Sequence, residues 1–471
     1  MSATTIALLA LTNLAHGQST SSDYSNPYPL SAAGWGPEVG NGLFFSRWAE
    51  DWRGLRATGE APRLKAMPLC GDATLTLSAE ARLRYDSYHN TQLIRDADAQ
   101  QTLFRGIVGA DLHLNSEFRV YGEVGTGKAE GRDRPATANF QNHASLQQLF
   151  VDVRSQIDSA LIGAMIGRQE FADGPRQLLS LSDGPNLHRT WNGTRLYAHG
   201  ERWRLGAFDL RATRLESGIF DEEIDDAERL QGLNASFVIS TGAKISNIYL
   251  DTFWIHSESP AVRSGAREGR DERDTYGLRL WGKRGDLKFD WTLARQTGDS
   301  IGHDVDAWAL FAVQSLALSD AGWKPRLTSH LDIASGRGAF GSGPTKGFNQ
   351  LFASSNYLGE GRFLSSSNLL LFAPGIAVSP TQTTNLSVEY GFARRLAEDD
   401  AAYAGGMRPY SGTQFVSGHE IGGLLRVTAS WAATEHLTLF FNFEHFAAGD
   451  VLKRTQLNSG SYAYIGATFR F

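Results

Sequence analysis

Of the 45 basic side chains in this 471-residue chain, eight are lysines and the rest arginines. A guanidinium stays charged at any relevant pH and offers a planar fork that matches a carboxylate, whereas lysine is a hydrated point charge. The chemistry implied is the capture and release of carboxylates. Acidic side chains recur among the arginines, at Glu80, Asp111, Glu123, Asp152, Asp209, Glu389, Glu420 and Glu444. They brace the arginines and keep them from becoming a trap, since conduction needs binding strong enough to admit a ligand and weak enough to release it.

Other patterns promise chemistry and lack its context. Gly122–Lys128 reads GEVGTGK, but Ala129 replaces the Ser or Thr of a phosphate loop and Glu130-Gly131-Arg132 to Pro135 cannot open the required helix, so a strand running into a glycine-rich loop is expected. Gly336, Gly338 and Gly341 spell GxGxxG, yet Gly343-Pro344 follows where a dinucleotide site needs a helix. The acidic run Asp221 to Asp226 lacks the spaced ligands and mid-loop Gly of a calcium loop and is expected to be a solvated external loop. The 12 histidines form no HExxH, and no nucleophile elbow is present. No catalytic residue, cofactor or metal is expected.

The elements that position the arginines have a period of two. From Ala73 to Asp86 the odd positions are apolar or aromatic and the even ones polar, and the alternation returns in Leu287 to Gln296, Thr384 to Arg395, Leu437 to Glu444 and Ser461 to Phe471. Each such segment is a strand with one greasy and one wet face. About 18 are expected, near residues 73, 103, 118, 147, 160, 194, 203, 233, 246, 275, 287, 306, 325, 369, 384, 420, 437 and 461, each of the ~10 residues that cross an outer membrane. The stretch from Phe340 to Leu370 is the least regular. No run reaches the ~18 apolar residues of a spanning helix, and the mean hydropathy of −0.29 suits strands that average apolar with polar.

Connections alternate between tight (Asn115-Ser116-Glu117, Ser155 to Asp158, Gly200-Glu201, Arg284-Gly285-Asp286) and long and polar (Gly125 to Ser145, Glu170 to Asn192, Glu216 to Gln231, His256 to Asp274, Leu396 to Gly418). The expected fold is all-β: a transmembrane antiparallel up-and-down β-barrel of about 18 strands with short periplasmic turns and long extracellular loops. The competing fold, a secreted soluble β-protein with carbohydrate-directed enzymatic chemistry, would use strands nearer ~5 to 6 residues.

By parity Arg82, Arg84, Arg105, Arg119, Arg154, Arg195, Arg211, Arg279, Arg326, Arg395, Arg426 and Arg470 point into the lumen together with Glu80, and inward Tyr121, Tyr197, Tyr462 and Tyr464 are placed to stack on sugar rings. A tube lined in this way suits a polyanion with one carboxylate per sugar. Residues 1–18 are expected to be a signal peptide, with an apolar run from Thr5 to Ala15 and a small-residue cleavage pattern, although Met1 to Thr4 carry no basic residue. Residues 19–71 are then a periplasmic or lumenal segment and 72–471 the barrel. The lone Cys70 excludes a disulfide framework, and a net charge of −6 argues against nucleic acid as a partner.

Several segments resemble the alginate export family of outer-membrane porins: Arg47 with Glu50-Asp51-Trp52, Leu64-Lys65 and Pro68-Leu69; Val153 through Gly167-Arg168-Gln169-Glu170, Gly174, Arg176, Ser182-Asp183 and Arg189 to Trp191-Asn192-Gly193-Thr194-Arg195; Gly347 to Phe352 with Tyr357-Leu358-Gly359; and His419-Glu420 to Phe471. The resemblance runs patchily from about residue 40 to 471. It implies an 18-stranded monomer in the Gram-negative outer membrane, exporting alginate or a related uronate polymer through an electropositive conduit. Arg168, Arg176, Arg189 and Arg195 would join the strand arginines at the constriction. Asn192 stands where the family usually has Asp, replacing a lumenal carboxylate with an amide. Implied partners are an acidic polysaccharide, outer-membrane lipid, the barrel-assembly machinery through Phe471, and periplasmic secretion proteins. The alternative function on the same barrel is uptake of oligosaccharides or small solutes.

Overall fold

Alternation of side chains lets one sheet bury polar groups on its inner face and apolar groups on its outer face, provided the sheet closes and leaves no unpaired edge. The computed structural model, which describes residues 42–131, 136–172, 177–242, 246–265, 267–341, 343–354 and 356–471, is such a closed antiparallel barrel of 18 strands. In chain order these are β1 (Thr74–His89), β2 (Ala99–His113), β3 (Phe118–Glu130), β4 (Asn142–Ile157), β5 (Ala160–Glu170) and β6 (Thr190–His199). There follow β7 (Trp203–Arg214), β8 (Glu223–Gly242), β9 (Ser246–Ser264), β10 (Arg267–Arg284), β11 (Leu287–Ser300) and β12 (His303–Ala317). The last are β13 (Arg326–Ala334), β14 (Leu369–Val378), β15 (Thr384–Arg394), β16 (Glu420–Ala432), β17 (Leu437–Ala448) and β18 (Gly460–Arg470). Neighbours in sequence are neighbours in the sheet, and β1 closes on β18 from Glu80↔Arg470 to His89↔Ser461. Every expected alternating segment corresponds to one of these strands. The expected signal peptide lies outside the described residues, as does Arg176.

On β1 the inward residues Glu80, Arg82, Arg84 and Asp86 are buried while Leu83 and Tyr85 are exposed. The outer wall as a whole exposes large apolar side chains, among them Val108, Ile166, Leu233, Leu293, Phe392 and Ile465. A continuous apolar surface of this kind is the lipid-facing band of a membrane barrel.

Two expectations about the loops change. His256 to Asp274 is not a loop: β9 and β10 pair without interruption from Ser246↔Arg284 to Ser259↔Asp271 and, after one irregularity, to Ser264↔Arg267. Beyond the membrane both faces meet water, so the hydropathy period disappears while the ladder continues, stitched by pairs such as Arg270–Glu258 at 3.1 Å. The acidic run is likewise no simple loop, because β8 begins at Glu223 and the Glu222 carboxylate is held by Arg168 at 2.8 Å.

Three segments fold into the barrel instead of extending outward. Residues 43–66 bring Phe44, Trp48 and Ala49 against Tyr121, Phe150 and Met165 near the tight-turn end. Residues 177–189 and 343–368 enter from the opposite end, burying Leu178, Leu179, Phe348, Leu358 and Phe363 among the inner faces of β7, β12 and β14. The GEVGTGK sequence serves this packing. It is continuous strand, and a Cβ on Gly125 would lie 2.9 Å from Leu187 Cδ2 and one on Gly127 2.8 Å from Asn186 Cβ. Those glycines make room for the inward loop.

Candidate functional site

The first five strands build a charged inner wall. Arg82 on β1 lies directly opposite Arg105 on β2, a juxtaposition of like charges that is unfavourable unless something comes between them. Asp183, on the inward segment 177–189, does so. Its Oδ1 is 3.1 Å from Arg82 Nη1 and 2.7 Å from Arg105 Nη1, while Arg82 also donates to the carbonyls of Asp183 (2.8 Å) and Pro185 (2.5 Å). Glu80 completes the group, 2.5 Å from Arg105 and 2.7 Å from Arg470. Against the cost of burial, Arg105 and Arg82 hold the Asp183 carboxyl well below the usual range.

His188 closes the same loop onto the wall, with Nδ1 against Glu170 and Nε2 3.2 Å from Asp183. Burial, and the Arg105 guanidinium 2.8 Å from Nε2, oppose a charge on this ring. Glu170 and Asp183 outweigh them and push its pKa up to about 9.

The second inward segment repeats the device. Arg84 is paired with Asp86 on its own strand and with Glu360 on segment 343–368, each at 2.8 Å, and lies over the Tyr464 ring at 4.9 Å. Glu444 on β17 accepts from the Glu360 and Gly361 amides, both at 2.9 Å. Burial pushes the Glu360 carboxyl up despite Arg84. Arg426 is paired with Glu389 at 2.7 Å and donates to the carbonyls of Asn356 and Tyr357.

The remaining expected residues fall into distinct groups. Arg119 pairs with Asp111 at 2.7 Å and reaches the Trp48 carbonyl, tying the amino-terminal segment to the wall. Arg168 bonds Asn192 Oδ1 at 2.9 Å as well as Glu222, so the amide joins one cluster with the arginine that the resemblance placed beside it. Arg189 donates to the carbonyls of Ser180 and Phe352 and lies over the Phe352 ring, and Arg195 lies over Phe171. Arg279 is held between Asp290 and Asp251 on the far side of the barrel. Arg211 pairs with Asp226, which is largely exposed.

Three further positions take no part in the charged wall. Arg154, near the tight-turn end, bonds the Ser116 carbonyl at 3.2 Å, and Arg326 bonds Ser315 Oγ at 3.2 Å. Arg395 lies one residue past β15 and donates to the carbonyls of Asp400, Thr413, Val416 and Gly418, which makes it the tie of the loop it precedes. The tyrosines are also used differently from expectation. Tyr121 donates to Glu123 and stacks on Phe150, Tyr197 donates to Asp152, Tyr462 packs on Tyr88, and Tyr464 lies beneath Arg84; their rings are built into the wall.

Residues that parity could not single out complete the site. Asp183, His188 and Glu360 lie on loops without a period. Arg47, Glu50 and Lys65 form a buried cluster, with Glu50 2.7 Å from Arg47 and 3.0 Å from Lys65, while Arg47 also reaches the Phe471 carbonyl. Lys65 lies 5.0 Å from the Phe471 ring centre.

Comparison with known proteins agrees with this architecture. The fold is similar to those of OccK5 (OpdH) of Pseudomonas aeruginosa (9% identity, TM-score 0.56, covering 84% of this chain and 98% of that one) and OccAB1 of Acinetobacter baumannii (12%, 0.56, 87% and 99%). It is also similar to that of Pseudomonas aeruginosa OccK2 (OpdF), solved in complex with glucuronate (13%, 0.55, 84% and 98%). No curated protein matches the chain. Residues 73–465, from just before the first strand to the middle of the last, match the alginate export family, and the chain belongs to that family of outer-membrane barrels.

Proposed function

We propose that this outer-membrane channel passes a carboxylated polysaccharide, alginate or a related uronate polymer, outward through its arginine-lined interior. The observation that carries the reading is where the carboxylates opposite the strand arginines come from. Two of them, Asp183 and Glu360, are supplied by inward loops and not by the wall. A carboxylate on a loop can be exchanged for a carboxylate on a passing sugar, leaving the guanidinium forks satisfied before, during and after transit. The interior then never presents bare cations, and the buried arginines are never stranded without a partner.

The reading assigns no catalytic step. A concentration gradient or periplasmic secretion partners would drive the polymer, and the protein would act as a monomer delivered by the barrel-assembly machinery through Phe471. The glucuronate named with OccK2 favours a second reading on the same chemistry, the passage of small uronates. The test is the reversal potential of reconstituted protein in a salt gradient, with and without polymeric and monomeric uronate. Anion selectivity that falls in R82Q/R105Q, and conductance blocked by polymer in preference to monomer, is expected. A pore indifferent to both variant and polymer overturns the reading.

A further inference from the structure

At the long-loop end, away from the charged wall, a cavity of about 180 Å³ opens between the extended β8–β10 region and two loops. Ser257, Ser259 and Asn349 give it polar walls, and Leu351, Phe352 and Met407 an apolar floor. That mixture suits a sugar ring, whose hydroxyls need hydrogen-bond partners and whose face is apolar. The volume is well below the ~300–1,000 Å³ of drug-sized sites, which fits one sugar residue and not an oligomer.

The charges around it do not balance. Of its carboxylates, Asp271 is taken by Arg273 at 2.8 Å, and Glu228 has Arg189 as its nearby cation. Arg263 on the rim is taken by Glu268 at 3.1 Å. Two further guanidiniums lie just beyond the lining, next to Gly406 and Met407. Arg408 belongs to the short hairpin Tyr403–Ala404/Arg408–Pro409, whose turn contributes Gly406 and Met407 to the cavity. Arg362 lies over that turn: its carbonyl accepts from the Gly405 amide at 2.9 Å, and a Cβ on Gly406 would be 3.2 Å from its Nη2. Among the described residues neither Arg362 nor Arg408 has an ion pair. Burial lowers the pKa of Arg408, and repulsion from Arg362 and Arg263 adds to the effect. Adjacent cations that repel each other gain most from an added anion.

We propose that this cavity is a subsite for a single carboxylated sugar residue at the outer mouth of the barrel, with Arg362 and Arg408 closing on the carboxylate and Met407 and Phe352 beneath the ring. The subsite rests on the carboxylated-polysaccharide reading and gives the polymer a first or last holding point outside the constriction. Its guanidiniums carry no loop carboxylate to be displaced, so it binds without rearrangement of the interior.

The test uses the full-length protein in planar bilayers, with a defined oligouronate added from the long-loop side and a neutral oligosaccharide of equal length and inorganic phosphate as parallel probes. In R362Q/R408Q the oligouronate concentration for half-block is expected to rise about tenfold, the loss of a charge-assisted pair, while anion selectivity in simple salt stays as in the parent. R362K/R408K is expected to recover part of the block, and heat-modifiable migration of all variants shows that they fold. Unchanged block in R362Q/R408Q overturns the subsite, as does equal block by phosphate or by the neutral sugar. If instead the parent is not anion-selective at all, the conduit reading fails first, and the two failures are told apart by that measurement.

Discussion

The two sides of the lumen are built on opposite principles. Along β1–β5 the inner wall is charged, and segment 177–189 is held there by the Asp183 and His188 contacts with Arg82, Arg105 and Glu170. Along β12 and β14 the inner wall is apolar: Ala307, Ala309, Phe311 and Val313 face inward with Leu371 and Ala373, and segment 343–368 is held there by Phe348, Tyr357 and Leu358, while β13 between them adds the buried His330–Asp332 pair, to which the Tyr357 hydroxyl donates. Phe348 and Tyr357 meet Phe311 edge-on at 5.8 and 5.9 Å. Burial of this kind is insensitive to salt and to competing anions, whereas the charged contacts can be exchanged for those of a ligand. The apolar contacts fix the body of segment 343–368 in place, whereas the charged side offers contacts, those of Asp183 and Glu360, that a passing carboxylate can take over.

This contrast can be broken from either side. Neutralising the charged wall with R82Q/R105Q has the largest expected effect on conduction, lowering the anion-to-cation permeability ratio by about tenfold, equivalent to about 1.4 kcal/mol; reversal potentials measure it, and a ratio that does not move removes the distinction between the walls. On the apolar wall, F348A is expected to cost about 3–5 kcal/mol locally, seen as faster proteolysis within 343–368 with ion selectivity unchanged. Acidity sharpens the comparison next. The His188 pKa of about 9 lies above the ordinary imidazole value of about 6.5, so its contribution is fully present below about pH 6.5 and is lost as pH rises through about 9. Segment 177–189 should therefore become protease-sensitive between pH 7 and 10 while 343–368 does not, and H188Q should remove the difference. The smallest effect belongs to Arg154, far from both loops in its contacts: R154Q is expected within about 0.5 kcal/mol of the parent, with unaltered selectivity in the same bilayer assay.

The barrel was legible because a strand between lipid and lumen imposes a strict period, as in Ala73 to Asp86. Where both faces carry apolar groups, as on β12 with Trp308 outward and Phe311 inward, the run still reads as a strand, but its inner face looks like the outer one and the loop it receives is invisible. Above the membrane the period fades, which is why β9 and β10 extend through residues that read as a loop. Parity placed Arg82, Arg84 and Arg105 inside, but it could not say that Asp183 or Glu360 would arrive between them, since loops have no period to follow. Arg395 shows the limit of the method: it shares the parity of lumen residues, yet the strand stops one position earlier and four carbonyls claim the side chain.

The Arg47 bond to the Phe471 carbonyl spans the seam where the first strand meets the last. A half-zipped cylinder offers no such carbonyl in the right place, so this tie of the inner segment 43–66 forms only once the circle is complete. The closed seam and the docked amino-terminal segment thereby report on each other, and an incompletely stitched molecule is expected to hold its amino-terminal stretch more loosely against proteases.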